Sequence, residues 1–153
     1  MRILLGLGVV VAVVVAAVVG AAWLADGDGD AAAATGVRIA GESNVAGVAF
    51  FEQDGDRMTG YVVVWGLDPN SEHAVHFHGP DSSCGAKADP VAVHPDLKAD
   101  ANGVAFADVE VAAEDELLDG GFYYNVHEGP SRLADNPEIA CADLEPAEAA
   151  AAD

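Results

Sequence analysis

The sequence predicts an all-β domain, a two-sheet sandwich or flattened Greek-key barrel, and three observations carry that prediction. Between Val37 and Leu144 the apolar residues come in short runs, "VRIA", "VAGVAFFE", "TGYVVVWG", "HAVHFH", "GVAFADVEV" and "FYYNVH", which have the length of strands rather than helices. Several of them alternate apolar with polar residues, the period of a strand with one face on a core. The connections "EQDGDR", "LDPNSE" and "ADANG" carry residues that accept positive φ or preset a turn. Only "AAEDELLDG" has the makings of a helical turn. Roughly six to eight strands in about 110 residues suit a sandwich or a flattened barrel with a single core.

One hydrophobic helix is expected ahead of this domain. Ile3–Ala25, "ILLGLGVVVAVVVAAVVGAAWLA", contains no charged residue. Its ~23 residues are enough to cross a bilayer core of ~30 Å at ~1.5 Å per residue. Residues 1–25 therefore read as a membrane anchor or a signal peptide, with Arg2 on the cytoplasmic side and everything after Ala25 outside the membrane. The run exceeds the ~7–15 residues of a secretory core, which favours an uncleaved anchor, while the small residues of "GAAWLA" keep cleavage and secretion open. Residues 26–36, "DGDGDAAAATG", form a flexible acidic and Ala-rich linker. Their D-x-D-x-D start is not a calcium loop, because Ala31 replaces the required Gly and Val37 the bidentate Glu. The domain then occupies residues 37–144, and 145–153, "EPAEAAAAD", is expected to be a disordered tail.

Asp and Glu total 26 against 6 Lys and Arg, a formal net charge of −20. Such a charge argues against nucleic acid and an anionic membrane surface as partners. Because the acids are spread along the chain, they suit a surface that works in concentrated salt, where their mutual repulsion is screened.

The chemistry concentrates in the histidines. Residues two apart on a strand share a face, so His76 and His78 project together while Val75 and Phe77 face the other way. H-x-H on a strand is a preformed pair of imidazole ligands, suited to zinc, copper, nickel or iron. His127 ends "FYYNVH", sharing its face with Tyr123 and Asn125. His94 follows a strand-like run and precedes Asp96 by two residues. Near strand ends, these four histidines can converge at one rim of the domain. His73 has the opposite parity and reads as a surface residue without a role. Cys84 and Cys141 are the two cysteines. In the oxidising setting outside the membrane they read as a disulfide closing a loop of about 57 residues and contributing roughly 4 kcal/mol. The competing reading is a pair of thiolate ligands, although C-x-x-C spacing is lacking.

Over about Val37 to Leu144 the chain resembles a diverged Cu/Zn superoxide dismutase domain, related in pattern to bacterial CHRD-type modules. The resemblance rests on four blocks in the family's order: "NVAGVAFFEQDGDRMTGYVVVWGLDPNSEHAVHFHG", "DLKADANGVAFADVEV", "VHEGP" and "IACADL". It implies a Greek-key barrel of that family's type, His76, His78 and His127 as copper ligands, and Cys84 with Cys141 as the intrasubunit disulfide. His94 and Asp96 resemble the last zinc histidine and the zinc aspartate, or His94 stands for the histidine that bridges the two metals. A complete zinc site is not expected, because His94 alone lies between Cys84 and His127 where the family has three zinc-loop histidines. The family's arginine before the final cysteine is Glu138 here, leaving Arg132 as the candidate catalytic cation.

The function implied is an extracytoplasmic, copper-dependent dismutase whose small-molecule substrate is superoxide. The protein is then membrane-anchored through the N-terminal helix, or secreted if that helix is removed. Two alternatives stay open, a copper-binding or copper-buffering protein without turnover and a structural module that keeps the fold. A homodimer also stays open.

Overall fold

The structure is a computed structural model and describes residues 33–41, 44–113 and 116–145. The hydrophobic helix expected over residues 1–25 lies outside the described residues, as do most of the 26–36 linker and the tail beyond Glu145. Ten strands follow one another: β1 Ala33–Gly41, β2 Ala46–Asp54, β3 Arg57–Trp65, β4 Glu72–His73, β5 Val75–His78, β6 Pro90–Val93, β7 Leu97–Lys98, β8 Val104–Ala112, β9 Phe122–His127 and β10 Glu138–Leu144. Eight of them form one antiparallel sheet in the order β6-β5-β9-β10-β1-β2-β3-β8, and β4 pairs with β7 separately. Its edge strands, β6 and β8, lie against each other, so the sheet curls into a nearly closed barrel without a long open edge. The all-β expectation therefore holds.

Alternation in sequence becomes two faces of the barrel wall. On β3, Met58, Val62 and Val64 face the interior while Arg57 and Trp65 are exposed. On β2, Ala49 and Phe51 face inward. The centre of the core is an aromatic group, Phe51, Phe77 and Tyr124, with ring centroids 5.1 to 5.4 Å apart and tilted or edge-on geometry. Offset contacts of this kind contribute about 0.5–1.5 kcal/mol each beyond the area they bury. The core thus grips β5 and β9, the two strands that carry His76, His78 and His127.

The chain does not visit the strands in spatial order. β1, β2 and β3 form a meander; the chain then builds β5 and β6 at the opposite edge and returns as β8 beside β3. A second crossover inserts β9 between β5 and β10. β1 starts at Ala33, within the segment expected as linker, because its first residues find main-chain partners on β2, Ala33 with Gln53 through Gly36 with Phe50. In "AAEDELLDG" the described residues make a turn rather than a helix, in which the Asp119 N–H donates to the Glu116 carbonyl over 3.1 Å. Leu117 and Leu118 anchor that turn in the core, and the Leu117 N–H donates to Gln53 Oε1 over 2.9 Å.

The loop between β5 and β6 bears most directly on the histidines. Cys84 and Cys141 are joined, with Cα atoms 5.7 Å apart, within the range a disulfide requires. The link fastens the loop to β10. Beside it the Cys84 N–H donates to Asp143 Oδ1 over 2.7 Å, and the Tyr123 hydroxyl donates to the Ala86 carbonyl over 2.8 Å. Gly79, directly after His78, lies so close to the Phe122 ring that a side chain there would collide with it. The outer face of β5, β9 and β10 is therefore roofed by the loop, and Tyr123 is only 1% exposed on it.

Candidate metal centre

β5 and β9 run antiparallel with Val75 opposite Val126, His76 opposite Asn125, Phe77 opposite Tyr124 and His78 opposite Tyr123. Val75, Phe77, Tyr124 and Val126 are buried in the core. Strand alternation therefore turns His76, His78, Tyr123, Asn125 and His127 to the outer face, under the loop. There His76, His78 and His127 form a group whose ligating nitrogens all lie within 4.8 Å of one another. His76 Nδ1 is 3.2 Å from His127 Nε2, close to the separation of two donors that share one tetrahedral ion at about 2.0 Å.

The surroundings of the rings determine which nitrogens are free. His78 Nδ1–H donates to the Ala88 carbonyl over 2.8 Å, which leaves Nε2 with its lone pair; that atom is buried and has no partner. His127 Nδ1–H donates to the Asn136 carbonyl over 2.6 Å, leaving the lone pair on its Nε2, which faces His76 Nδ1 at 3.2 Å and Asn125 Nδ2 at 3.1 Å. Both carbonyls belong to loops, one anchored by the disulfide and the other by Asn136 itself. The Asn136 side chain accepts from the Gly129 N–H over 2.7 Å and donates to the Gly129 carbonyl over 2.7 Å. An imidazole whose second nitrogen is held by a carbonyl is oriented as a metal ligand. Burial, followed by the neighbouring His127 and His78, lowers the His76 pKa from 6.5 to about 4. That ring thus keeps its lone pair in mild acid. A buried, unpartnered imidazole nitrogen facing two other imidazole nitrogens fits a metal ion that accepts nitrogen donors.

The other residues singled out from sequence lie around this group rather than in it. His94 is 4% exposed. Its Nδ1–H donates to the Pro95 carbonyl over 3.0 Å, and its Nε2 accepts from the Tyr124 hydroxyl over 2.8 Å. Its ring stacks on Tyr124 at 5.7 Å. Tyr124 belongs to the core face of β9, so a strand wall separates this bond from the outer histidines, and burial lowers the His94 pKa. Asp96 Oδ2 accepts from the Ser131 N–H over 3.0 Å and from its hydroxyl over 3.4 Å, tethering the loop that supplies the Asn136 carbonyl. Arg132 is exposed and bonds to Glu72 over 2.9 Å, a contact that holds the Glu72 carboxyl below its usual range.

His73 corrects the sequence reading. Expected at the surface, it is 3% exposed, because the parity opposite to His76 and His78 is the interior one. Its Nδ1–H donates to the His127 carbonyl over 2.8 Å, and its Nε2 lies 2.6 Å from Ser71 Oγ. It holds the backbone of a candidate ligand. Asn125 is a second residue without an expected role, although its parity with His127 is legible in the sequence. It is 3% exposed, with Nδ2 at 3.1 Å from His127 Nε2 and 3.3 Å from Glu138 Oε2.

Compared with protein-family models and with curated proteins, the chain matches none. Its own structure is that of an antiparallel β-barrel with one disulfide and a three-histidine group able to hold a metal ion.

Proposed function

We propose that this protein is an extracytoplasmic copper-binding, superoxide dismutase-like protein that converts superoxide to oxygen and hydrogen peroxide. The observation that carries the reading is the donor set of three imidazoles, two of which, His78 and His127, have their Nδ1 atoms bonded to backbone carbonyls. A donor set of imidazoles without thiolate or carboxylate suits copper among the ions that take nitrogen. His76 Nδ1, His78 Nε2 and His127 Nε2 would hold the ion. Copper would supply the one-electron exchange. The protein's part is to keep the His76 ring neutral through its burial, to limit the rotation of the rings through Ala88, Asn136 and His73, and to leave the approach beside half-buried His76 and His127 to a small anion. The disulfide agrees with an oxidising compartment. The strongly acidic surface agrees with a partner that is neither nucleic acid nor anionic lipid.

A second reading, copper holding without turnover, draws on the two charges nearest the question. Glu138 puts a carboxylate beside His127, and Arg132 is engaged with Glu72. Both weaken the attraction for an anionic substrate. Superoxide loss measured with copper-loaded protein in high salt, with His127→Ala as control, separates the readings. A fast rate abolished in the variant supports the dismutase. A background rate from protein that binds one copper per chain leaves the holding function, and no stoichiometric copper removes both.

A further inference from the structure

Glu138 opens β10 and pairs directly with His127 across the β9–β10 ladder. Directly opposite residues in an antiparallel pair point to one face, with Cβ atoms about 4.5–5.5 Å apart. Register alone therefore brings a carboxylate beside a ring of the histidine group. The side chains agree, since the Asn125 amide lies between the two, donating to Glu138 Oε2 over 3.3 Å and 3.1 Å from His127 Nε2. Asn125 is 3% exposed, and both of these contacts are made by its Nδ2, while its Oδ1 is buried without a partner. The ladder shifts register just after Glu138, the kind of bulge that re-aims a side chain. Among the described residues the ion pairs join Arg57 with Glu110 and both Lys98 and Arg132 with Glu72, and no cation is paired with Glu138.

We infer that Glu138, steadied by Asn125, sets the charge preference of the histidine group, favouring a divalent ion over a monovalent one and opposing anions. The inference rests on metal binding by the three histidines. Neutral imidazoles attract an ion through their dipoles and lone pairs, and a fixed carboxylate adds a charge–charge term on top of that, which grows with each unit of ion charge. At roughly 6 Å and an effective dielectric near 20, one unit of ion charge changes relative affinity by about a hundredfold, reduced toward about tenfold where solvent reaches the pair. Glu138 acts through the field and not as a donor, since it lies outside the group of nitrogens close enough to share an ion.

The test is competition titration of the full-length protein with Cu(II) and, separately, Cu(I), for the natural chain and for Glu138→Gln, Glu138→Asp and Glu110→Gln. Glu138→Gln retains an oxygen that can accept from Asn125 and removes the charge. It is expected to lower the Cu(II)-to-Cu(I) affinity ratio at least about tenfold, seen also as a rise of about 59 mV per tenfold in reduction potential. Glu138→Asp keeps the charge and holds the ratio near that of the natural chain. Glu110→Gln, exposed on β8 and paired with Arg57, leaves it unchanged. An unchanged ratio in Glu138→Gln protein that still binds one copper overturns the inference alone, as does an equal shift in Glu110→Gln. Absence of copper binding in the natural chain overturns the inference and the metal reading together. Glu138→Ala, which needs no partner for a new amide, repeats the measurement if the glutamine variant does not fold.

Discussion

Replacing Cys84 and Cys141 together by serine tests how the fold holds the histidine group. The cross-link closes a separation of 57 residues, and the loop-entropy relation for a loop of that length gives about 4 kcal/mol at 25 °C. For a domain of this size the loss corresponds to a fall in Tm of roughly 15 °C. The site should weaken independently of global stability. The same loop presents the Ala88 carbonyl that accepts from His78 Nδ1 and the Ala86 carbonyl that accepts from Tyr123. A loop freed from β10 loses the constraint that keeps His78 Nε2 aimed at the other two nitrogens. Urea unfolding at fixed high salt measures the first effect. Metal competition at a temperature where the variant is still folded measures the second, with an expected loss of about tenfold or more, as for other partners that orient ligands. A stability loss under about 1 kcal/mol would refute the loop-entropy reasoning. Unchanged metal affinity in the folded variant would refute the role given to the loop.

Three further outcomes follow from the geometry. The His76 pKa is depressed, so the unfolded chain takes up its proton first. This ring's contribution to metal-free stability is complete above about pH 6.5 and is lost as pH falls toward about 4. The pH dependence of the urea midpoint should flatten in that window in His76→Gln, and an unchanged slope would count against the burial argument. His73→Ala removes a buried donor to the His127 carbonyl and should cost about 2 kcal/mol together with a drop in metal affinity; stability loss with undiminished affinity would make His73 purely a core residue. Tyr124→Phe removes the hydroxyl that donates to His94 and should cost about 1–3 kcal/mol while leaving metal affinity unchanged, and a weakened metal site would tie His94 to the ion.

Local rules are enough for a large part of this molecule. The strand character of "TGYVVVWG" and "GVAFADVEV" follows from a period of two, because each residue reverses the side-chain direction whatever the rest of the chain does. The same rule puts His76 with His78, and His127 with Asn125, on the strength of spacing alone. The turn residues Gly55 and Gly103 occupy positive φ, as their chemistry suggests. The two cysteines, the sole pair in the chain, are expected from sequence to bond to each other, and they do.

Tertiary structure decides what periodicity cannot contain. Alternation divides residues into two faces but does not say which face meets the core, and for that reason parity alone leaves His73 on the wrong side. The pairing of β5 with β9, about 50 residues apart, decides that His127 joins His76 and His78. The position of Tyr124 on the opposite side of the same strand decides that His94 bonds there instead. The register of β10, with its shift after the first residue, brings Glu138 opposite His127. Each of these is a relation between distant segments, set by how the strands pair and by packing in the core around Phe51, Phe77 and Tyr124. Side-chain direction is local and readable from sequence, whereas the neighbours a side chain meets depend on contacts made only when the barrel closes.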